Sequence, residues 1–137
     1  MASVEIIRKR LNKLDEYLSI LYGLQKYSFE AFARDPEHYG STERFLQLAI
    51  ETLTDLGNHV IADLALGTVD YYSDIPRILA EQGYLDDDLR EKWVRMIGFR
   101  NILVHQYLDV DRRIVYGILH KNLSDIEALR EVFAQFL

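Results

Sequence analysis

Apolar side chains in this chain recur at alternating steps of three and four, and nowhere do they alternate with period two for long enough to make a strand. Val4, Ile7, Leu11, Leu14, Leu18, Leu21, Gln25, Ser28 and Phe32 trace the first stripe, the face that one long amphipathic helix buries. That helix is expected to end before Asp35-Pro36, because proline disfavours helical backbone in the residue preceding it. Residues 35–40 then read as a loop. Ser41 or Thr42 can cap a second helix, with Phe45, Leu48, Leu53, Leu56, Val60 and Leu64 on its core side and Gly67 as its stop. A loop through Asp70-Tyr71-Tyr72-Ser73-Asp74 leads to a short helix over 76–82, with Pro76 in its first turn and Gly83 closing it. Asp86-Asp87-Asp88 suits the positive N-terminal end of a third long helix, which carries Trp93, Met96, Ile97, Phe99, Leu103 and Val104. After Asp109-Val110-Asp111, the stripe Val115, Leu119, Asn122, Ile126, Leu129, Phe133 and Phe136 predicts one last helix. The pattern implies an all-α fold, a four-helix bundle with a short additional helix, in a single domain over 1–137. Its two long outer stripes leave apolar surface that can also serve a dimer.

Composition narrows the function classes. Apolar residues at 49% and charged residues at 28% are ordinary for a globular protein and argue against disorder. The chain has no cysteine, which excludes disulfides, thiolate metal sites and cysteine nucleophiles. His38, His59, His105 and His120 fall far apart without ligand-like spacing, so no metal site is expected. No apolar run approaches membrane-spanning length, and Met1-Ala2-Ser3-Val4-Glu5 lacks the basic-then-apolar layout of a signal peptide. A cytoplasmic protein with no membrane contact is the expectation.

A net charge of −6 speaks against non-specific nucleic-acid binding, but the charge is unevenly spread. Residues 1–89 carry 8 basic against 16 acidic side chains, and residues 90–137 carry 8 against 6. Any phosphate contact is therefore expected from the second part, where Arg90, Lys92, Arg95, Arg100, Arg112, Arg113 and Lys121 are the candidates. For each of them the alternative is an ordinary solvated helix-face charge.

Chemistry concentrates at the end of the third long helix, in Arg100-Asn101-Ile102-Leu103-Val104-His105-Gln106-Tyr107. An arginine can hold a phosphate and a histidine can move a proton near neutral pH, a minimal set for cutting RNA without a metal or other cofactor. On a helical wheel Arg100 falls within the apolar sector of Trp93, Met96, Phe99, Leu103 and Val104. His105 lies about 140° further round, beside Asn101 and Gly98. Two accounts of Arg100 follow: a charge held for a phosphate, or one paired with a carboxylate such as Asp55 or Glu51 of the second helix, with His105 favoured at a helix end by the dipole. His59 reads more simply as a hydrogen-bonded packing histidine, Tyr71-Tyr72 as a loop anchor rather than a base stack, and His120-Lys121 as solvent-facing.

The string Phe99-Arg100-Asn101-Ile102-Leu103-Val104-His105-Gln106-Tyr107 resembles the Arg, four residues, His, one residue, Tyr motif of the HEPN (higher eukaryotes and prokaryotes nucleotide-binding) superfamily, in the form found in HepT-like toxins. Glu43-Arg44-Phe45-Leu46-Gln47-Leu48-Ala49-Ile50-Glu51 and Asp55-Leu56-Gly57-Asn58-His59-Val60-Ile61-Ala62 resemble the family's second helix, and Val115-Tyr116 its closing one. The likeness thus covers most of the chain and describes a HEPN-like helical domain. It implies a metal-independent endoribonuclease toxin of a type VII-like toxin–antitoxin system, acting on RNA at a homodimer cleft and partnered by an MntA-like minimal nucleotidyltransferase antitoxin. Carried over, Arg100 would hold the scissile phosphate, His105 would be the general acid/base, and Asn101 would bind phosphate or orient the histidine. Tyr107 would be the residue that the antitoxin modifies with AMP; its alternative is an amphipathic tyrosine packed at an interface. A second class of function keeps the fold without the chemistry: a non-catalytic helical nucleotide-binding or substrate-presenting partner of such a nucleotidyltransferase.

Overall fold

Helix α1 (Val4–Leu24) buries the expected face, Ile7, Leu11, Leu14, Leu18 and Leu21, which confirms the period-3.6 reading of its stripe. The computed structural model describes residues 3–137 and contains among them seven α-helices and no strand. Met1 and Ala2, part of the stretch read for a leader, lie outside the described residues. No helix among the described residues is long and apolar enough to cross a membrane.

The first stripe is continuous in sequence but not in backbone. α1 stops at Leu24, and the chain resumes as α2 (Phe29–Arg34). The break is held from both sides: the Gln25 amide donates to the Leu119 carbonyl at 2.9 Å, and the Ser28 hydroxyl accepts from the Ala31 N–H at 3.2 Å as the cap of α2. Polar residues at two stripe positions thus serve a junction rather than a face. Phe32 still reaches the core and is fully buried.

The stretch over 35–40, expected as a loop, is the start of the longest helix, α3 (Pro36–Asp63). Asp35 caps it by accepting from the Glu37 N–H at 2.9 Å, and Pro36 sits at the first helical position, where its missing N–H costs nothing. Thr42 is an interior residue instead of a cap, its hydroxyl turned back to the His38 carbonyl at 2.8 Å. The buried face of α3 runs through Leu46, Ala49, Ile50, Leu53, Leu56, Val60 and Ile61. Phe45 and Leu48 stand at its half-buried margin.

α3 ends before Gly67, by a Schellman motif. The Leu66 N–H reaches the Ile61 carbonyl at 3.0 Å, the Ala65 N–H reaches Ala62 at 3.3 Å, and Ala65 adopts a left-handed φ of 51°. The same closure recurs after α4 (Asp74–Glu81), where Tyr84 N–H bonds Leu79 and Gly83 N–H bonds Ala80, both at 3.0 Å, but there Gly83 takes the left-handed position at φ 84°. The motif favours glycine because a Cβ is crowded in that conformation.

α5 (Asp87–His105) is capped by Asp86, which accepts from the Leu89 N–H at 2.8 Å, and its end carries the Arg–His motif as expected. A 3-10 turn over Tyr107–Asp109 follows. The last stripe divides at Asn122 into α6 (Arg112–Lys121) and α7 (Leu123–Ala134). Asn122 has left the helical region, with φ −116° and ψ 1°, and its amide donates to Asp125 at 3.0 Å. As at Gln25, a polar residue on an apolar stripe marks a bend. Four long rods, α1, α3, α5 and the bent α6–α7 pair, therefore form the bundle, with α2 and α4 as short additions.

α3 packs on every other α-helix. It meets α4 and α5 tightly at Gly57, where a Cβ would run into Ile75 Cγ2 and stand 3.0 Å from the Trp93 ring. Trp93 is fully buried and meets Phe133 of α7 edge-on at 5.8 Å.

Gly57→Ala is expected to lower the unfolding free energy by about 1–3 kcal/mol through overpacking, as read by urea titration. Ala65→Gly is expected to raise it by about 0.5–1 kcal/mol, the crowding relieved less the added chain entropy. Unchanged midpoints for both would contradict the packing and the helix stop described.

Candidate functional site

Helical register places Arg100 where an arginine is unusual, on the side of α5 that faces α3. Its Nε lies 3.5 Å from Glu51 Oε2, with the two side chains 20% and 32% exposed. Of the two carboxylates considered from sequence, Glu51 is therefore the partner; Asp55 instead lies 4.0 Å from Arg10 of α1. Glu51 is shared, because Gln47 also donates to its Oε2 at 3.1 Å.

The Arg100 pairing is loose. Its Nε is buried and donates no hydrogen bond among the described residues, and its remaining side-chain bond runs from Nη1 to the neighbouring Asn101 Oδ1 at 3.2 Å. Arg130 shows what a structural arginine looks like in this protein. It grips Asp15 of α1 with Nε and Nη2 at 2.7 and 2.9 Å, a bidentate fork that raises its pKa further above the usual arginine range. Arg130 spends its donors on two carboxylates, Asp15 and, through Nη1 at 3.0 Å, Glu131, whereas Arg100 makes a single hydrogen bond among the described residues and keeps donors for another anion.

Arg100 forms one wall of a depression of about 100 Å³, together with Ile50, Glu51, Thr54, Asp55, Tyr72 and Ile97. The guanidinium carbon stands 6.0 Å from the centre of the Tyr72 ring, at the outer range of a cation–π contact. Tyr72 is 56% exposed and Tyr71 is 74% exposed, so neither anchors its loop; the anchors are the apolar Ile75 and Pro76 behind them, both buried.

Glu51 and Asp55 also border a second, wider groove of about 490 Å³ between α1 and α3, whose other wall includes Lys9, Arg10 and Lys13. These cations belong to the part of the chain that is acidic overall, and Lys13 also pairs with Glu16 at 3.2 Å. Their signal lay in spacing, since Lys9 and Lys13 are four apart and share a helix face with each other. The cations expected to serve phosphate are mostly occupied otherwise. Arg90 pairs with Asp87 at 3.4 Å, Lys92 with Asp88 at 2.8 Å, and Arg95 with Glu91 at 3.8 Å. Arg112 lies 3.9 Å over the Tyr39 ring and Arg113 lies 5.8 Å over Phe29.

His105 is the last residue of α5 and is exposed. Among the described residues it has no hydrogen-bond or ion-pair partner, and it does not touch Arg100. Five helical positions separate the two, about 7.5 Å along the axis and 140° around it. Asn101 lies between them, bonded to Arg100 and one turn before His105. Tyr107 follows in the 3-10 turn at 66% exposure, next to Leu108 at 85%. One chain thus presents Arg100, Asn101, His105 and Tyr107 at one end of α5 without assembling them into a closed site.

The other histidines have structural work. His59 accepts from the Ser3 N–H at 3.3 Å and lies 3.3 Å from Asp63 Oδ2. His38 stacks on Tyr27 with ring centres 3.6 Å apart. His120 is exposed, as expected, and also places Nδ1 at 2.9 Å from the Tyr116 carbonyl and Nε2 at 3.1 Å from that of Gln25, linking α6 to the α1–α2 junction. That link depends on the break at Gln25, which the continuous stripe concealed. No group of three or more His, Asp or Glu among the described residues is placed to hold a metal ion.

Known proteins resemble this chain over most of its length. The sequence profile of the family described as Ribonuclease HepT-like matches residues 6–133. The chain is 30% identical over 87 residues to the mRNA nuclease HepT of Shewanella oneidensis, an alignment that covers 64% of this chain and 65% of that protein, just under two thirds of its length. It is 29% identical over 118 residues to the tRNA nuclease HepT of Aphanizomenon flos-aquae, covering 85% of this chain and 80% of the relative. Among solved structures, the tri-AMPylated Shewanella oneidensis HEPN toxin in complex with MNT antitoxin superposes with a TM-score of 0.89 over 97% of this chain and 99% of that one, at 23% identity, a likeness of fold. With the profile running from α1 into α7 and taking in α5 and its terminal motif, the chain belongs to the ribonuclease HepT-like family.

Proposed function

We propose that this protein is a metal-independent endoribonuclease toxin, cutting RNA with Arg100 and His105 at a cleft between two copies of the chain. The observation that carries the reading is the underused guanidinium of Arg100, loosely paired with Glu51 at the rim of an open depression. A phosphodiester competes for it well, because arginine binds phosphate through two parallel N–H bonds and Glu51 engages it from one side only. The relatives named as mRNA and tRNA nucleases support the substrate class.

In the proposed reaction the ribose 2′-oxygen attacks the phosphorus. The 2′-O–P bond forms, the P–O5′ bond breaks, and the products are a cyclic phosphate and a 5′-hydroxyl. Arg100 neutralises the charge that builds on the non-bridging oxygens. His105 takes the 2′-hydroxyl proton or gives one to the leaving oxygen. Asn101 holds the guanidinium from the His105 side and orients it toward the phosphate. His105 and Arg100 do not meet within one chain, and a second copy brings a second pair to the cleft. Exposed Ile102 and Leu108 beside the motif, 42% and 85% accessible, supply apolar surface for such an interface. DNA lacks the attacking hydroxyl and is not a substrate.

Tyr107 is proposed as the site of inactivation by an MntA-like nucleotidyltransferase antitoxin. Its phenolic oxygen would attack the α-phosphate of ATP, forming the O–P bond and releasing pyrophosphate, with the phenolic proton lost to solvent. The exposure of Tyr107 admits the reaction, and the AMP group adds negative charge and bulk beside Arg100. The AMPylated HEPN toxin with its MNT antitoxin supports this part.

Expression of the chain is expected to slow growth and degrade RNA, and Arg100→Ala or His105→Ala is expected to reduce cleavage about 10²–10⁴-fold. If the parent leaves RNA intact and both variants behave like it, the chain is instead a non-catalytic partner of the nucleotidyltransferase. A second expectation concerns the α1–α3 groove. Replacing Lys9 and Lys13 by glutamate should weaken RNA binding and flatten its dependence on salt, because fewer counterions are released. A salt slope equal to the parent's would remove α1 from the RNA path.

A further inference from the structure

We infer that Tyr72 is a stacking platform for a nucleobase of single-stranded RNA, seating the base adjacent to the phosphodiester that Arg100 holds. This rests on the ribonuclease reading above and adds to it a residue outside the Arg–His motif, on another element of the fold. Tyr72 and Arg100 line the same depression, with 6.0 Å between guanidinium carbon and ring centre, a spacing of the order that divides the base of a nucleotide from its own phosphate. The ring is 56% exposed, so an aromatic surface stands in water beside a cation. One face of a base can be covered there without any hydrogen-bond code.

The loop that carries the ring is pre-organised. Asp74 Oδ2 accepts from the Asp70 N–H at 3.0 Å and from the Tyr71 N–H at 2.9 Å, and these two bonds hold the Asp74 carboxyl below its ordinary pKa. Arg77 pairs with the other oxygen of Asp74 at 3.6 Å. The Tyr71 and Tyr72 carbonyls accept from the N–H groups of Asp74 and Ile75 at 2.9 and 3.1 Å, and Ile75 and Pro76 are buried beneath. The backbone of Tyr72 is thus tied to the start of α4 while its side chain is released toward Arg100. Little ordering remains for the ring to undergo when a base arrives, which favours binding. Recognition of this kind reads the area of a π-face, so it ranks purines above pyrimidines and any base above none.

The test uses 2′-O-methyl trinucleotides, which cannot be cleaved, with a central adenine or a central abasic residue, and measures their affinity for the full-length protein. The parent is expected to bind the adenine form about 5- to 100-fold more tightly. Tyr72→Ala should bind both forms alike, and Tyr72→Phe should restore the preference, because the ring and not the hydroxyl is used. Equal affinities in the parent, or a preference that survives Tyr72→Ala, would overturn the assignment. Cleavage of the corresponding unmodified RNA is read separately: a parent that discriminates between the two forms but cuts nothing removes the ribonuclease reading and leaves the stacking site.

Discussion

The contact between Gly57 and Trp93 sets the register on which the site depends. α3 and α5 run antiparallel, and the missing side chain at Gly57 lets the indole ring and Ile75 close on the α3 backbone. Six residues back along α3 from that point is Glu51, and seven residues forward along α5 is Arg100. The two helical distances match to within one residue, so the buried approach at one end delivers the carboxylate to the guanidinium at the other. A helix step of one residue would turn Arg100 by about 100° and leave it in solvent or in the core. The chemistry-bearing end of α5 is positioned by apolar packing two turns away.

Glu51 then has a double effect. It supplies the negative charge that lets an arginine sit on the half-buried side of a helix, where an unpaired cation is strongly unfavourable. It does so incompletely, with one contact at 3.5 Å, in contrast with the bidentate fork between Arg130 and Asp15. The fork closes α7 onto α1. The loose pair holds the Arg100 side chain in place and leaves donors unused, as the proposed phosphate contact requires. The same carboxylate, with Asp55, borders both the Tyr72 depression and the Lys9–Lys13 groove, so an anionic ridge lies between the two regions proposed to meet RNA.

Net charge was a poor guide to this distribution. The acidic total and the acidic first part suggested that α1 had no business with phosphate, yet its Lys9, Arg10 and Lys13 face one groove, while the acidic residues of the chain are largely spent on caps and on pairs within helices. Asp35, Asp86 and Asp111 cap helices α3, α5 and α6, and Asp87, Asp88 and Glu91 pair with cations of their own helix. Charges used locally contribute little to a distant ligand, because solvent screens them.

The sequence by itself determined the helical class, the four long rods and the location of Arg100, Asn101, His105 and Tyr107 at one helix end, because hydrophobic periodicity and local capping are properties of neighbouring residues. It also called for a carboxylate partner to Arg100 and offered Asp55 or Glu51, since a cation on an apolar stripe demands one; the packing of α3 on α5 chose Glu51. The breaks at Gln25 and Asn122 were invisible, because a stripe with a polar member continues in register whether or not the backbone bends. Their cause lies across the fold, in the bond from Gln25 to Leu119 and in the turn at Asn122. Only the tertiary structure brought Tyr72 beside Arg100 and opened the basic groove along α1, because such contacts join residues far apart in the chain whose pairing is fixed by how helices pack, and no local pattern encodes that.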